Sequence, residues 1–168
     1  MSGTAAHSDE LEALARDVLV RARAAGIMIA TSESCTGGGT AAALTAIAGS
    51  SDVVDRGFVT YSNAAKIEML GIRPETLEGF GAVSEEIARE MALGALQRSQ
   101  AGLTVSVTGI AGPGGSEFKP EGRVCFGIAT AKALHSETVE FGALGRSNVR
   151  RATTRHALNL LLAALSEA

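Results

Sequence analysis

A strand-like apolar run at Ile27–Ala30 passes into a helix-forming run at Thr40–Ala48 through Thr-Ser-Glu-Ser-Cys-Thr-Gly-Gly-Gly, Thr31–Gly39. A strand that turns through glycines into a helix opens a βα unit, and such units build sheets covered by helices. The turn carries hydroxyls and a thiol beside the N–H groups of a helix start. Those groups lack intrahelical partners, so an anion or a developing oxyanion can be held there. Taken alone, the segment reads equally well as a serine-rich helix cap with no chemistry.

The flanking patterns predict the remaining elements. Ser8 caps a helix whose apolar positions Leu11, Leu14, Ala15, Val18, Leu19 and Ala22 follow a 3.6-residue period and end at Gly26. Residues 1–7 read as a frayed leader. Strands are expected at Ile27–Thr31 and Arg56–Tyr61, and Asn63 as the cap of a short helix through Leu70, with Pro74 closing that section. Ser84 starts a strong helix with Glu85 and Glu86 in its first turn, where the helix dipole favours acid. Leu103–Thr108 alternates as a half-buried strand, Arg123–Thr130 and Thr138–Phe141 as two more, and a last helix begins near Ser147. This order predicts an α/β fold: one domain over residues 1–168, a three-layer α/β/α sandwich around a mixed sheet of about five strands. The early pairs are expected parallel and the late meander antiparallel.

Composition excludes several functions. A net charge of −3 and an aromatic share of 4% leave neither a basic stripe nor stacking platforms for nucleic acid. No apolar run nears the roughly 20 residues that span a bilayer, and no signal-peptide pattern opens the chain, so a cytoplasmic protein without membrane contact is expected. Cys35 and Cys125 form no CxxC and read as reduced thiols. His7, His135 and His156 lack metal-ligand spacing, so no metal is expected. The P-loop and GxGxxG patterns are missing, and no cofactor is expected.

Chemistry concentrates in three segments. Arg56–Lys66 ends a strand at Tyr61 and places Lys66 in the first turn of a helix, where the dipole disfavours a cation. In a protected cleft Lys66 would be neutral and could act as a general base; a solvated surface lysine is the alternative. Thr108–Gly122 leaves a strand through glycines whose backbone can approach a small phosphate-bearing ligand, or it is a hairpin with no ligand. Arg146, Arg150 and Arg151 cluster where the last helix starts, an arrangement opposed by the dipole unless an anion lies between them. Glu33, Asp52 and Asp55 form no carboxylate pair, and no histidine places a Ser-His-Asp triad. A serine without histidine needs another base. Ser34, Lys66 and Tyr61 form the set that chemistry selects, with Cys35 the rival nucleophile.

Four ordered motifs, Ser32–Gly38, Arg56–Asn63 with Lys66, Gly81–Ser84, and Thr108–Gly115 with Lys119-Pro120, resemble the CinA C-terminal domain family, in particular its stand-alone nicotinamide-nucleotide amidohydrolases. The likeness runs from the first helix to the last. It implies hydrolysis of the carboxamide of nicotinamide mononucleotide to nicotinate mononucleotide and ammonia, in NAD salvage, with Ser34, Tyr61 and Lys66 catalytic and no metal. Substrate contacts are implied for Ser32, Thr36, Gly37 and Gly38 at the turn, for Thr108, Gly109, Ala111 and Gly112 in the glycine loop, and for Arg150. The Thr36–Gly38 amides would stabilise the oxyanion. A homo-oligomer, in its simplest form a homodimer, is expected on the same ground. One departure stands: the Gly112-Pro113-Gly114-Gly115 turn is one residue shorter than the family's Gly-Pro-x-Gly-Gly form. It supports the alternative of a catalytically silent mononucleotide- or partner-binding module. Nothing is transferred from the N-terminal domain that larger members carry.

Overall fold

The computed structural model describes residues 2–116 and 118–168, with side chains from Ser8 onward. Chain order is α1 (Ser2–Ala25), β1 (Ile29–Glu33), α2 (Gly39–Thr45), β2 (Val54–Val59), α3 (Asn63–Leu70), α4 (Pro74–Phe80), α5 (Glu85–Gln97), β3 (Leu103–Gly109), β4 (Arg123–Thr130), β5 (Leu134–Glu140) and α6 (Arg146–Ser166). The sheet has five strands in the order β2-β1-β3-β4-β5. β1 lies parallel to β2 and β3, and β4 and β5 extend the sheet antiparallel, as the element order predicts. α1, α2 and α6 cover one face and α3, α4 and α5 the other.

Some boundaries differ from expectation. α1 begins at Ser2, so the helix runs through the stretch expected as a leader; Met1 lies outside the described residues. β1 extends to Glu33 because Thr31 and Ser32 are buried between two neighbouring strands, where polar side chains do not end pairing. Ser62, not Asn63, caps α3, its hydroxyl accepting from the Ala65 N–H at 3.0 Å. Pro74 opens α4 instead of closing a section, since a proline at a first helical position lacks only an N–H that would have no intrahelical partner. Ser84 caps α5 as expected.

β3 is buried on both faces, not one. Leu103, Val105 and Val107 enter the core beneath α1 and α6. The opposite face binds the α5 side through hydroxyls: Thr104 donates to the Ala92 carbonyl at 2.7 Å, Ser106 to Ala88 at 2.5 Å, and Thr108 to Ala82 at 2.8 Å. Alternating Thr and Ser therefore marks a helix-covered face whose polar groups are satisfied by helix carbonyls. The approach is close enough to require Gly127 on β4, where an added Cβ would lie 2.4 Å from the Ala88 carbonyl oxygen and 2.6 Å from Ser106 Oγ.

Strand propensity alone makes Gly127→Ala favourable by about 0.5–1 kcal/mol. The contact with α5 reverses that sign. Denaturant unfolding of Gly127→Ala is expected to show a loss of about 1–3 kcal/mol, the usual range for overpacking.

Candidate active site

The site is built on the end of β1, where alternation sends Glu33 and Ser34 to opposite faces of the sheet. Glu33 is buried, and its carboxylate closes the turn from within. Oε1 accepts from Thr36 Oγ1 at 2.6 Å and from the Thr40 N–H at 2.8 Å. Oε2 accepts from the Ala41 N–H at 3.0 Å and from Thr31 Oγ1 at 3.2 Å. The start of α2, whose cap Gly38 offers no side-chain bond, thus receives its anion from the chain itself. The Thr40 and Ala41 N–H groups therefore do not stand open for a ligand. The Gly37 N–H is also engaged, donating to the Ser34 carbonyl at 3.0 Å. Glu33 belongs to no carboxylate pair; its sequence signal is an acid just before a glycine-rich helix start.

Arg150 of α6 secures the same turn, with Nε donating to the Cys35 carbonyl at 3.2 Å and Nη2 to the Thr36 carbonyl at 3.0 Å. Ser34 is left on the α3 side of the sheet, at the edge of a cavity.

Lys66 reaches Ser34 from α3. Its Nζ lies 3.1 Å from Ser34 Oγ and donates to the Thr60 carbonyl at 2.9 Å. At 1% exposure it is among the largest fully buried side chains of the core, and no carboxylate pairs with it among the described residues. Burial lowers its pKa from the usual lysine value, with only a smaller opposing influence from Cys35. The first-turn position predicted for Lys66 acts in the same direction. The cleft placement that would make it a base is present.

Cys35 is buried among apolar core side chains, and burial pushes its thiol up to about 12. A thiol so raised is not a thiolate at neutral pH, and the rival nucleophile is disfavoured.

Ser34 opens on a cavity of about 310 Å³ walled by the glycine loop from Gly109 to Ser116, with Cys35, Tyr61 and Arg146. Tyr61 lies past the end of β2, 60% exposed, and its hydroxyl oxygen accepts from Arg146 Nη2 at 2.7 Å. Arg146 Nη1 donates to the Gly112 carbonyl at 2.7 Å. Of the expected residues, Ser34, Tyr61, Gly109, Ala111 and Gly112 line the cavity, with Lys66 directly behind Ser34.

The others do not line it. Ser32 is sealed inside the sheet with a hydroxyl that finds no partner. Thr36 is bound to Glu33, and Thr108 to the Ala82 carbonyl. Gly37 and Gly38 form the turn behind Ser34, and Arg150 is committed to carbonyls there. Arg146 takes the cavity position expected for Arg150. A larger cavity of about 500 Å³ beside the start of α5 holds Glu85, Arg89 and Arg123 but no serine–lysine contact, so size does not locate the chemistry.

Residues 11–165 match the sequence profile of the CinA C-terminal domain. The chain is 50% identical over 153 residues to the nicotinamide-nucleotide amidohydrolase PncC of Escherichia coli (strain K12), covering 90% of this chain and 93% of that protein. It is 49% identical over 160 residues to a CinA-like protein of Mycolicibacterium paratuberculosis, spanning 90% of this chain but 36% of that longer protein. The structure superposes on the competence/damage inducible protein CihA of Agrobacterium tumefaciens with a TM-score of 0.89 at 51% identity, covering 94% and 96% of the two chains. A CinA superfamily protein of Klebsiella pneumoniae gives 0.90 at 34% identity, covering 94% and 99%.

Glu33→Gln turns one of two accepting oxygens into a donor facing donors. Chemical denaturation is expected to show a loss of about 1–3 kcal/mol, the cost of an unsatisfied buried polar group.

Proposed function

The chain belongs to the CinA C-terminal domain family, and we propose that it hydrolyses the carboxamide of nicotinamide mononucleotide to nicotinate mononucleotide and ammonia. That it is a hydrolase follows from 50% identity over nearly its whole length to proteins named nicotinamide-nucleotide amidohydrolase. The choice of substrate and of catalytic residues is our reading. The observation that carries it is the buried Lys66 amine, 3.1 Å from Ser34 Oγ with no carboxylate beside it among the described residues.

In this mechanism the neutral Lys66 amine takes the Ser34 proton as Oγ attacks the amide carbon. The resulting ammonium lies beside the tetrahedral centre and offsets the charge on its oxygen. Collapse breaks the C–N bond, and a proton passes to the departing nitrogen, which leaves as ammonia. Tyr61 assists this transfer: Arg146 donates to its oxygen, so the phenolic hydrogen is free to be given. Water then attacks the acyl-serine as Lys66 takes its proton, the bond from the acyl carbon to Oγ breaks to release the acid, and Lys66 returns the proton to Ser34 Oγ, restoring the starting pair. Arg146, the cationic side chain among the described residues lining the cavity, would meet the substrate phosphate. The silent-module alternative gains nothing from the short glycine turn, because the Ser34–Lys66 contact and the cavity coexist with it. The reaction would serve pyridine-nucleotide salvage.

Ammonia release from nicotinamide mononucleotide is the direct test. Ser34→Ala is expected to lower kcat by about 10³-fold or more, while Cys35→Ala stays within about threefold of wild type, since a nucleophile acting as a unit with its base cannot be dispensed with. Full turnover in Ser34→Ala would overturn the mechanism.

The pH profile supplies a second check. The active form is the neutral amine, so kcat/KM should rise with pH through a pKa below the usual 10.5 of lysine. The corresponding limb should be absent from the residual activity of Lys66→Met. A profile whose only rise lies at the ordinary lysine value would remove Lys66 as base.

A further inference from the structure

Three arginines crowd the start of α6, where the helix dipole opposes cations. The structure contains an anion there: Glu121, half-buried just before β4. One carboxylate oxygen accepts from the Gly114 N–H of the glycine loop at 2.8 Å, and the other from the Gly145 N–H at the α6 cap in a longer bond of 3.4 Å. The same side chain packs beside Gly112, where an added Cβ would fall 1.9 Å from Glu121 Oε1. Gly112 and Gly114 have φ of +89° and +79°, a conformation only glycine takes without strain. The Gly112 carbonyl accepts from Arg146, which also reaches Tyr61. Loop, helix start and arginine therefore close one ring of contacts with Glu121 as its strut, and Tyr61 stands outside it, reached by Arg146.

We propose that Glu121 is a positioning residue for the part of the substrate remote from the reacting amide. It touches neither Ser34 nor Lys66. Its carboxylate turns the Gly114 N–H inward, fixes the wall of the cavity, and holds Arg146 at the mouth. Loss of the strut leaves the serine–lysine pair in place and loosens the surface that binds the rest of the ligand. The effect belongs in KM and not in kcat. This proposal rests on the amidohydrolase reading for its substrate, but the strut itself can be tested without turnover.

Amide hydrogen exchange and kinetics of wild type, Glu121→Ala and Glu121→Gln supply the test, with thermal unfolding to confirm that each variant folds. Glu121→Ala is expected to exchange about tenfold faster at Gly114 and Gly145 with β3 amides unchanged, about the weight of one hydrogen bond to a charged group. KM for nicotinamide mononucleotide should rise about tenfold with kcat within about twofold, the signature of lost uniform binding. Glu121→Gln, which keeps one accepting oxygen, should restore protection at one of the two glycines and part of the KM. Unchanged exchange in a folded Glu121→Ala, or a fall in kcat at constant KM, would overturn the proposal. A wild-type protein that releases no ammonia would sink the substrate assignment, while the exchange result would still decide the strut.

Discussion

One buried carboxylate organises the reactive end of the sheet. Glu33 gathers the end of β1, the glycine turn and the first N–H groups of α2 around two oxygens. A buried carboxylate survives only where its lone pairs are filled, and here each oxygen accepts two hydrogen bonds. The next residue points to the opposite face because successive strand side chains alternate. The anchor Glu33 and the proposed nucleophile Ser34 are therefore adjacent in sequence yet separated by the sheet itself. Rigidity reaches Ser34 through its own backbone, which also donates to the Val107 carbonyl at 3.0 Å on the neighbouring strand.

The amine on the other face poses the opposite problem. Lys66 is as buried as Glu33 but has no carboxylate counter-ion among the described residues, so its charged form bears a desolvation cost that the smaller influence of Cys35 does not offset. Burial therefore favours the neutral amine. In the proposed mechanism that amine, at hydrogen-bond distance from a serine hydroxyl, is the base, so the burial that costs stability would serve the chemistry.

The strand directions, and the placing of Ser34 and Lys66 at element ends, were legible because they rest on local signals: strand-to-helix switches, glycine punctuation, and a lysine in a first helical turn. What escaped were side chains whose partners lie far along the chain. Arg146 and Arg150 are four residues apart on one helix, one turn of rise, and nothing local says which faces the cavity. The fold decides it, since Arg150 meets the Cys35 and Thr36 carbonyls and Arg146 meets Gly112 and Tyr61. The family resemblance implies Ser32 as a ligand contact, but strand alternation carries it beneath the neighbouring helices, buried. The hydroxyl face of β3 was read as half-exposed because a sequence window records polarity, and only packing records whether that polarity meets water or a helix carbonyl.

The two helix starts nearest the cavity share a device. α2 receives Glu33 and α6 receives Glu121, each from a segment outside the helix it caps. A helix N-terminus is ordinarily a ready anion site; Glu33 occupies the one at α2 through the Thr40 and Ala41 N–H groups, while Glu121 meets α6 at its cap, the Gly145 N–H. Among the described residues lining the cavity, the cationic side chain is Arg146, itself oriented by Tyr61 and by the glycine loop that Glu121 secures. Fixed internal anions set the backbone, and one oriented guanidinium is left to recognise charge. If Arg146 meets the substrate phosphate as proposed, its recognition is coupled to loop geometry, so the length of the glycine turn and the residue beneath it belong together.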